Sequence, residues 1–172
     1  MKLLIYRLIT GVMTVLCLAF VIYNSAKTGE KSAEASRGVT EIVATVIVPD
    51  FKNMTKLQKE AEIQCIHPTL REIAHSLEFC LLSFSLLLFL VSFDFKIPKY
   101  YTALIAIALC FLVALSDEFI LQRFIQGRGS EWLDVGMDTL GSVTGAAIAS
   151  AIYYIYRSVA VKKTVLKSKN AE

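Results

Sequence analysis

Proline occurs only three times in 172 residues, histidine twice and tryptophan once, and charged residues make up just 19% of the chain. So little charge, beside 55% hydrophobic residues and a mean hydropathy of +0.57, excludes a disordered chain and is a poor fit to a soluble enzyme, whose single core needs less apolar surface. The four cysteines include no C-x-x-C pair and no even spacing, which argues against a disulfide framework. Cys17, Cys80 and Cys110 sit in apolar runs and read as small buried hydrophobes, and Cys65 stands alone in a polar stretch. A net charge of +3, with the basic residues crowded into the tail, implies no nucleic-acid partner.

What the chain does have is four runs of about 20 mostly apolar residues, the length needed to cross a bilayer as a helix. They cover about 3–23, broken only by Arg7, then 73–93 with His75 and Glu78 near its start, 97–118, and 135–156 with Asp138 inside it. None has an interior proline. The expected fold class is therefore an all-α membrane protein, a bundle of four transmembrane helices forming one domain over 1–160, followed by a basic tail over 161–172. "YNSAKTG" after the first run offers no A-x-A cleavage pattern, so that run reads as a span and not a removable leader.

An even number of crossings puts both termini on one side. Arg157, Lys162, Lys163, Lys167 and Lys169 in the tail, with Lys2 and Arg7 at the start, place both ends in the cytoplasm. Lys96 and Lys99 in the second loop agree. Membrane lipid is the expected partner of the tail lysines and of the Tyr153, Tyr154 and Tyr156 belt.

The long first loop, 24–70, carries two stripes. Val39, Ile42, Val43, Val46 and Ile47 repeat at helical spacing until Pro49, and Met54, Leu57 and Ala61 follow a cap at Asn53 or Thr55 and stop before His67 and Pro68. These predict one or two short interfacial helices on the membrane surface or capping the bundle.

Four antiparallel spans bring the start of the second, the end of the third and the start of the fourth to one membrane face. Those ends carry Arg71, Glu72, His75 and Glu78; Asp117, Glu118 and Gln122; and Arg128, Glu131, Asp134 and Asp138. Arg71, His75, Glu78 and Leu82 share one helical face, as do Asp134, Asp138, Gly141 and Gly145. Gly141, Gly145 and Ala149 form a small-residue step that lets a neighbouring helix approach closely. Adjacent residues on a helix point about 100° apart, so only one of Asp117 and Glu118 is expected to face the shared pocket. A lone carboxylate at mid-bilayer costs roughly 2.5 to 3.5 kcal/mol, so these acids must pair, protonate or face water.

"HPTLREIAHSLEF" and "SDEFILQRFIQGRGSEWLDVGMDTLGSVTG" resemble the VanZ-like family of small bacterial membrane proteins, as does "NSAKTGEKS" after the first span. The family pattern falls on Arg71, His75, Glu78, Asp117, Glu118, Gln122, Arg128, Asp134 and Asp138. Two departures stand out. Gln122 comes four residues after Glu118 where the family has three, which puts an extra residue in the turn, and Gln126 replaces a proline before the Gly-Arg pair. The resemblance implies a multi-pass protein of the bacterial cytoplasmic membrane and a cell-envelope role. For the family's namesake that role is reduced sensitivity to the glycopeptide antibiotic teicoplanin, by no established mechanism.

Each sharp chemical reading has a plainer one beside it. His75 and Glu78, with Asp117 or Asp138, fit a divalent-cation site, or else His75 and Glu78 share a hydrogen bond that fixes helix register. Arg128 in "QGRGS" and Arg71 fit a clamp for phosphate or carboxylate, or else they neutralise nearby acids. Two function classes follow. One is a non-enzymic envelope protein whose extracytoplasmic pocket, with Arg71, Glu118, Gln122, Arg128, Asp134 and Asp138, binds a glycopeptide or lipid-linked cell-wall ligand. The other is a membrane-embedded hydrolase or transferase acting on an anionic lipid-linked precursor, with His75, Glu78 or Asp117 moving protons and no cofactor required beyond an optional divalent cation.

Overall fold

The computed structural model describes residues 1–93, 95–125 and 131–169. Five α-helices follow in order: α1 (Lys2–Ser25), α2 (Gly29–Ile47), α3 (Lys56–Val91), α4 (Lys99–Ser116) and α5 (Trp132–Lys169). Among the described residues there is no strand, and four helices are long and apolar enough to cross a membrane: Leu3–Ser25, Lys56–Val91, Lys99–Phe124 and Trp132–Ala160. The all-α four-span reading holds.

Helix α3 is the axis of the fold and touches α1, α2, α4 and α5, while α4 and α5 also pack on each other. Its tightest neighbour is α5. A Cβ added at Gly141 would stand 2.0 Å from the Ser76 carbonyl oxygen, and one at Gly145 would stand 2.0 Å from that of Cys80. Both pairings advance by four residues in the same direction, so α3 and α5 run parallel, as two helices descending from the same face must. Below this contact Leu87 packs with Ala106, Ala146 and Ala149, and nearer the polar end Val21, Phe79, Leu82, Cys110, Ala114 and Val135 form a second core. The small residues bring the backbones together where water-driven attraction between helices is absent.

The loop before α3 differs from the sequence expectation. The stripe at Met54, Leu57 and Ala61 is not a separate helix ending before His67 and Pro68; it is the first part of α3, which continues through Pro68 for 36 residues, about 54 Å. Proline removes one backbone donor, a cost the surroundings here offset by pinning the helix just ahead of it. Before Pro68, Arg37 forms an ion pair with Glu60, and Ile63 is buried with Ala44 and Phe51. Beside Pro68 itself, the Ser36 hydroxyl lies 2.7 Å from His67 Nε2. Thr55 caps the helix, forming a capping box with Gln58.

Helix α2 is the amphipathic segment the first stripe predicts, but its packing edge is not the stripe. Thr40 and Ala44 are fully buried, whereas Val39, Ile42, Val46 and Ile47 are mostly exposed. A short 3-10 turn, Phe51–Asn53, joins α2 to α3 after Asp50, whose φ of 56° is the left-handed conformation that aspartate tolerates better than bulkier residues.

Candidate functional site

The polar residues gather where α1 ends, α3 and α4 meet, and α5 begins. After Ser116, α4 does not stop but widens into a π-helical turn, Asp117–Leu121, followed by a 3-10 turn, Gln122–Phe124. The Gln122 backbone N–H donates to the Asp117 carbonyl, five residues back. This wider turn absorbs the extra residue between Glu118 and Gln122. The Gln122 side chain points back inward, its Nε2 donating to Asp117 Oδ2 at 3.0 Å and to Glu118 Oε2 at 2.8 Å. Single π turns of this kind recur at functional sites.

The expectation that only one of Asp117 and Glu118 faces the cluster is overturned. Asp117 is 5% exposed and Glu118 1%, because each carboxylate meets a different helix. Asp117 Oδ2 accepts from the Ser25 hydroxyl at the end of α1, at 2.7 Å. Glu118 Oε1 accepts from the Glu131 backbone N–H, at 2.8 Å, just ahead of α5. Two neighbouring acids thus tie α4 to α1 on one side and to α5 on the other, with Gln122 bridging them. Buried carboxylates need such donors, since desolvation is otherwise uncompensated.

Helix α3 contributes the next layer. Arg71 Nη2 lies 3.7 Å from Asp134 Oδ2, and both side chains are mostly covered. Glu78 Oε1 accepts from Asn24 Nδ2 at 2.7 Å, and Asn24 Oδ1 in turn accepts from Lys27 Nζ at 2.8 Å. The Ser76 hydroxyl donates to the Met137 carbonyl at 2.9 Å, fixing α3 against α5 beside the cluster. Asp138 is 4% exposed and shares a small void of about 10 Å³ with Arg71, Glu72, His75, Gln122, Asp134 and Met137.

The structure therefore brings together eight of the nine residues singled out from the sequence: Arg71, His75, Glu78, Asp117, Glu118, Gln122, Asp134 and Asp138. The ninth, Arg128, lies outside the described residues. Sequence reasoning missed Asn24, Ser25 and Lys27, which complete the cluster from the end of α1 and the turn after it. The signal was in the topology, since the end of the first span must reach the same face as the start of the second.

Among the described residues of the cluster, the acids Glu78, Asp117, Glu118, Asp134 and Asp138 outnumber the cations Arg71 and Lys27. No group of three or more His, Cys, Asp and Glu residues among the described ones is arranged to hold a metal ion. The fuller space is next door. A cavity of about 410 Å³ opens between the end of α1, α2 and the exposed flank of α3, and takes Asn24, Lys27, Arg71, His75 and Glu78 as its polar wall. Ser32, Ser36 and Thr40 of α2 line it too, while Val39, Leu70, Ile73, Ala74 and Leu77 supply the apolar part, which makes up most of its surface. Ile73 and Leu77 are 45% and 59% exposed, which opens the cavity sideways as well as toward the polar end.

Comparison with curated proteins and with solved structures gives no match. The family model VanZ/LLP1 matches residues 10–155. That stretch takes in the α1 end, the whole of α2 to α4 and the part of α5 that bears Asp134, Asp138 and the two glycines; with the polar cluster assembled from those same elements, this chain belongs to the VanZ/LLP1 family.

Proposed function

We propose that this membrane protein is a non-enzymic component of the bacterial cell envelope that binds an amphiphilic, anionic ligand in the cavity beside α2. The ligand class is a lipid-linked cell-wall intermediate or a glycopeptide-like molecule, and binding lowers sensitivity to glycopeptide antibiotics such as teicoplanin. The observation that carries this reading is the make-up of the cavity: a mainly apolar wall open to the side, with Lys27 and Arg71 on its polar edge. Two cations beside an apolar trough suit a phosphate or carboxylate attached to a hydrophobic body. The buried acids behind them hold the wall in place through the bonds from Asn24, Ser25, Gln122 and Glu131. The lysines of the tail argue for a cytoplasmic C-terminus, which sets the cavity on the outer face.

The test is a set of alanine variants at Lys27, Arg71, His75 and Glu78, scored in parallel for teicoplanin susceptibility and for membrane-inserted protein. Susceptibility that rises while protein level holds supports the reading. If every gain in susceptibility tracks a loss of protein, the cavity has no role in it.

One observation favours a second reading, a hydrolase or transferase acting on an anionic lipid-linked precursor: His75 and Glu78 line the same cavity as Arg71. His75→Ala and Glu78→Gln would then abolish turnover of a labelled lipid pyrophosphate with insertion intact. Purified wild-type protein that leaves the substrate unchanged removes this reading.

A further inference from the structure

Another cavity, of about 220 Å³, lies between α3, α4 and α5 at the opposite end of the bundle. Its floor is apolar, made by Leu87, Val91 and Ala103, and its mouth carries Lys99, Tyr100, Tyr153 and Tyr154. Lys99 and Tyr100 are the first residues of α4, and the 18 residues to Ser116 span about 27 Å, close to one hydrocarbon thickness from the acid cluster. The mouth therefore sits at a membrane boundary, where tyrosine and lysine favour the headgroup layer.

The charge near it is mainly positive. In the sequence, residues 92–103 and 150–158 carry Lys96, Lys99 and Arg157 against one acid, Asp94. Tyr100 and Tyr154 are about half exposed, so the mouth is open to what lies beside the bundle. A free anion at the mouth would leave the apolar floor uncovered. An acyl chain covers that floor.

We propose that this cleft is a binding site for an anionic phospholipid of the adjoining leaflet. The phosphate is held at Lys99 and the tyrosine hydroxyls, and the first part of one acyl chain lies on Leu87, Val91 and Ala103. The site is separate from the cavity beside α2 and stands whether or not that cavity binds an envelope ligand.

Native mass spectrometry of the full chain, released from micelles doped with phosphatidylglycerol or with phosphatidylcholine of the same chain length, tests it. Phosphatidylglycerol should remain bound preferentially, and Lys99→Ala should cut its retention about fivefold, the effect of one well-placed cation. Lys99→Arg should keep most of it. Lys162→Ala, an exposed lysine outside the cleft, should leave it unchanged. Equal retention of the two lipids, or equal loss in Lys99→Ala and Lys162→Ala, overturns the proposal in favour of diffuse charge. Ala103→Trp should block the floor and release the lipid, with Ala103→Leu as the milder variant if the tryptophan prevents folding. If inorganic phosphate displaces the lipid and filling the floor changes nothing, the cleft holds a free anion and the lipid reading fails.

Discussion

Gly141 and Ser76 stand so close that the smallest possible side chain at 141 would overlap the Ser76 carbonyl oxygen, at 2.0 Å. Backbone cannot swing aside as a flexible side chain can, so Gly141→Ala must push α5 away from α3. The polar cluster straddles that seam. Gly141→Ala and Gly145→Ala are expected to destabilise the protein by about 1–3 kcal/mol each, the usual range for an overpacked core. Gly38→Ala and Gly136→Ala, with nothing within 4 Å, should be neutral or gain up to about 1 kcal/mol from helix propensity. Thermal melting in one detergent ranks the four, and a Gly141→Ala protein as stable as wild type would contradict the close packing.

The π turn allows a sharper experiment. Ile120 is 64% exposed and lies within it. Deleting Ile120 should convert the turn to an ordinary α-helical one and leave Gln122 facing the two carboxylates, with folded yield close to wild type. Deleting Leu112, also exposed (56%) but in the regular part of α4, should rotate everything after it by about 100° and lose the fold. Size-exclusion profiles of the two deletions give the answer, and equal damage from both would mean that the turn is not a removable insertion.

Gln122 itself is the shared donor of the cluster. Gln122→Ala takes one hydrogen bond from each of two buried carboxylates, at a cost of about 1–3 kcal/mol. A denaturation midpoint unmoved by the substitution would show that the two acids find their donors elsewhere.

At the other end of α1, Arg7 donates from Nε and Nη2 to the Ser92 carbonyl at 3.3 and 2.9 Å and lies 4.5 Å from the Phe93 ring centroid. Arg7→Ala should cost about 1–2 kcal/mol through the lost charged hydrogen bonds and ring contact. Arg7→Lys recovers part of it. Disulfide trapping between cysteines placed at 11 and 89, where Gly11 faces the Phe89 ring, would report the loosening as a slower reaction.

Topology has a direct check. In a background without the four native cysteines, Leu57→Cys and Lys162→Cys should react with a membrane-impermeant maleimide from opposite sides, Leu57→Cys from the outside. Labelling of both from the same side would undo the arrangement of spans.

The spans were legible because each apolar run is long and its charges few, and the cluster was legible because helical phase puts Arg71, His75 and Glu78 on one face and Asp134 and Asp138 on another. Three features were not. Pro68 reads locally as a stop, and the packing of α2 against the turns that lead up to it is a tertiary effect no local signal announces. Asp117 and Glu118 read as diverging on an α-helix, and only a π turn with acceptors wanted by two different helices buries both. Asn24 and Ser25 read as the polar end of a span, and their role depends on partners 54 and 92 residues away.

Polar bonds clasp helix α1 at its two ends, Arg7 on Ser92 and Asn24 and Ser25 on Glu78 and Asp117, while only 11% of its apolar window is buried against 28–39% in the other spans. Its flank belongs to lipid. A thinner or thicker bilayer changes the tilt this helix prefers by an amount its neighbours do not share. The strain then falls on the two clasps, one of which is built into the acid cluster, so acyl-chain length becomes a variable that the cluster is expected to sense.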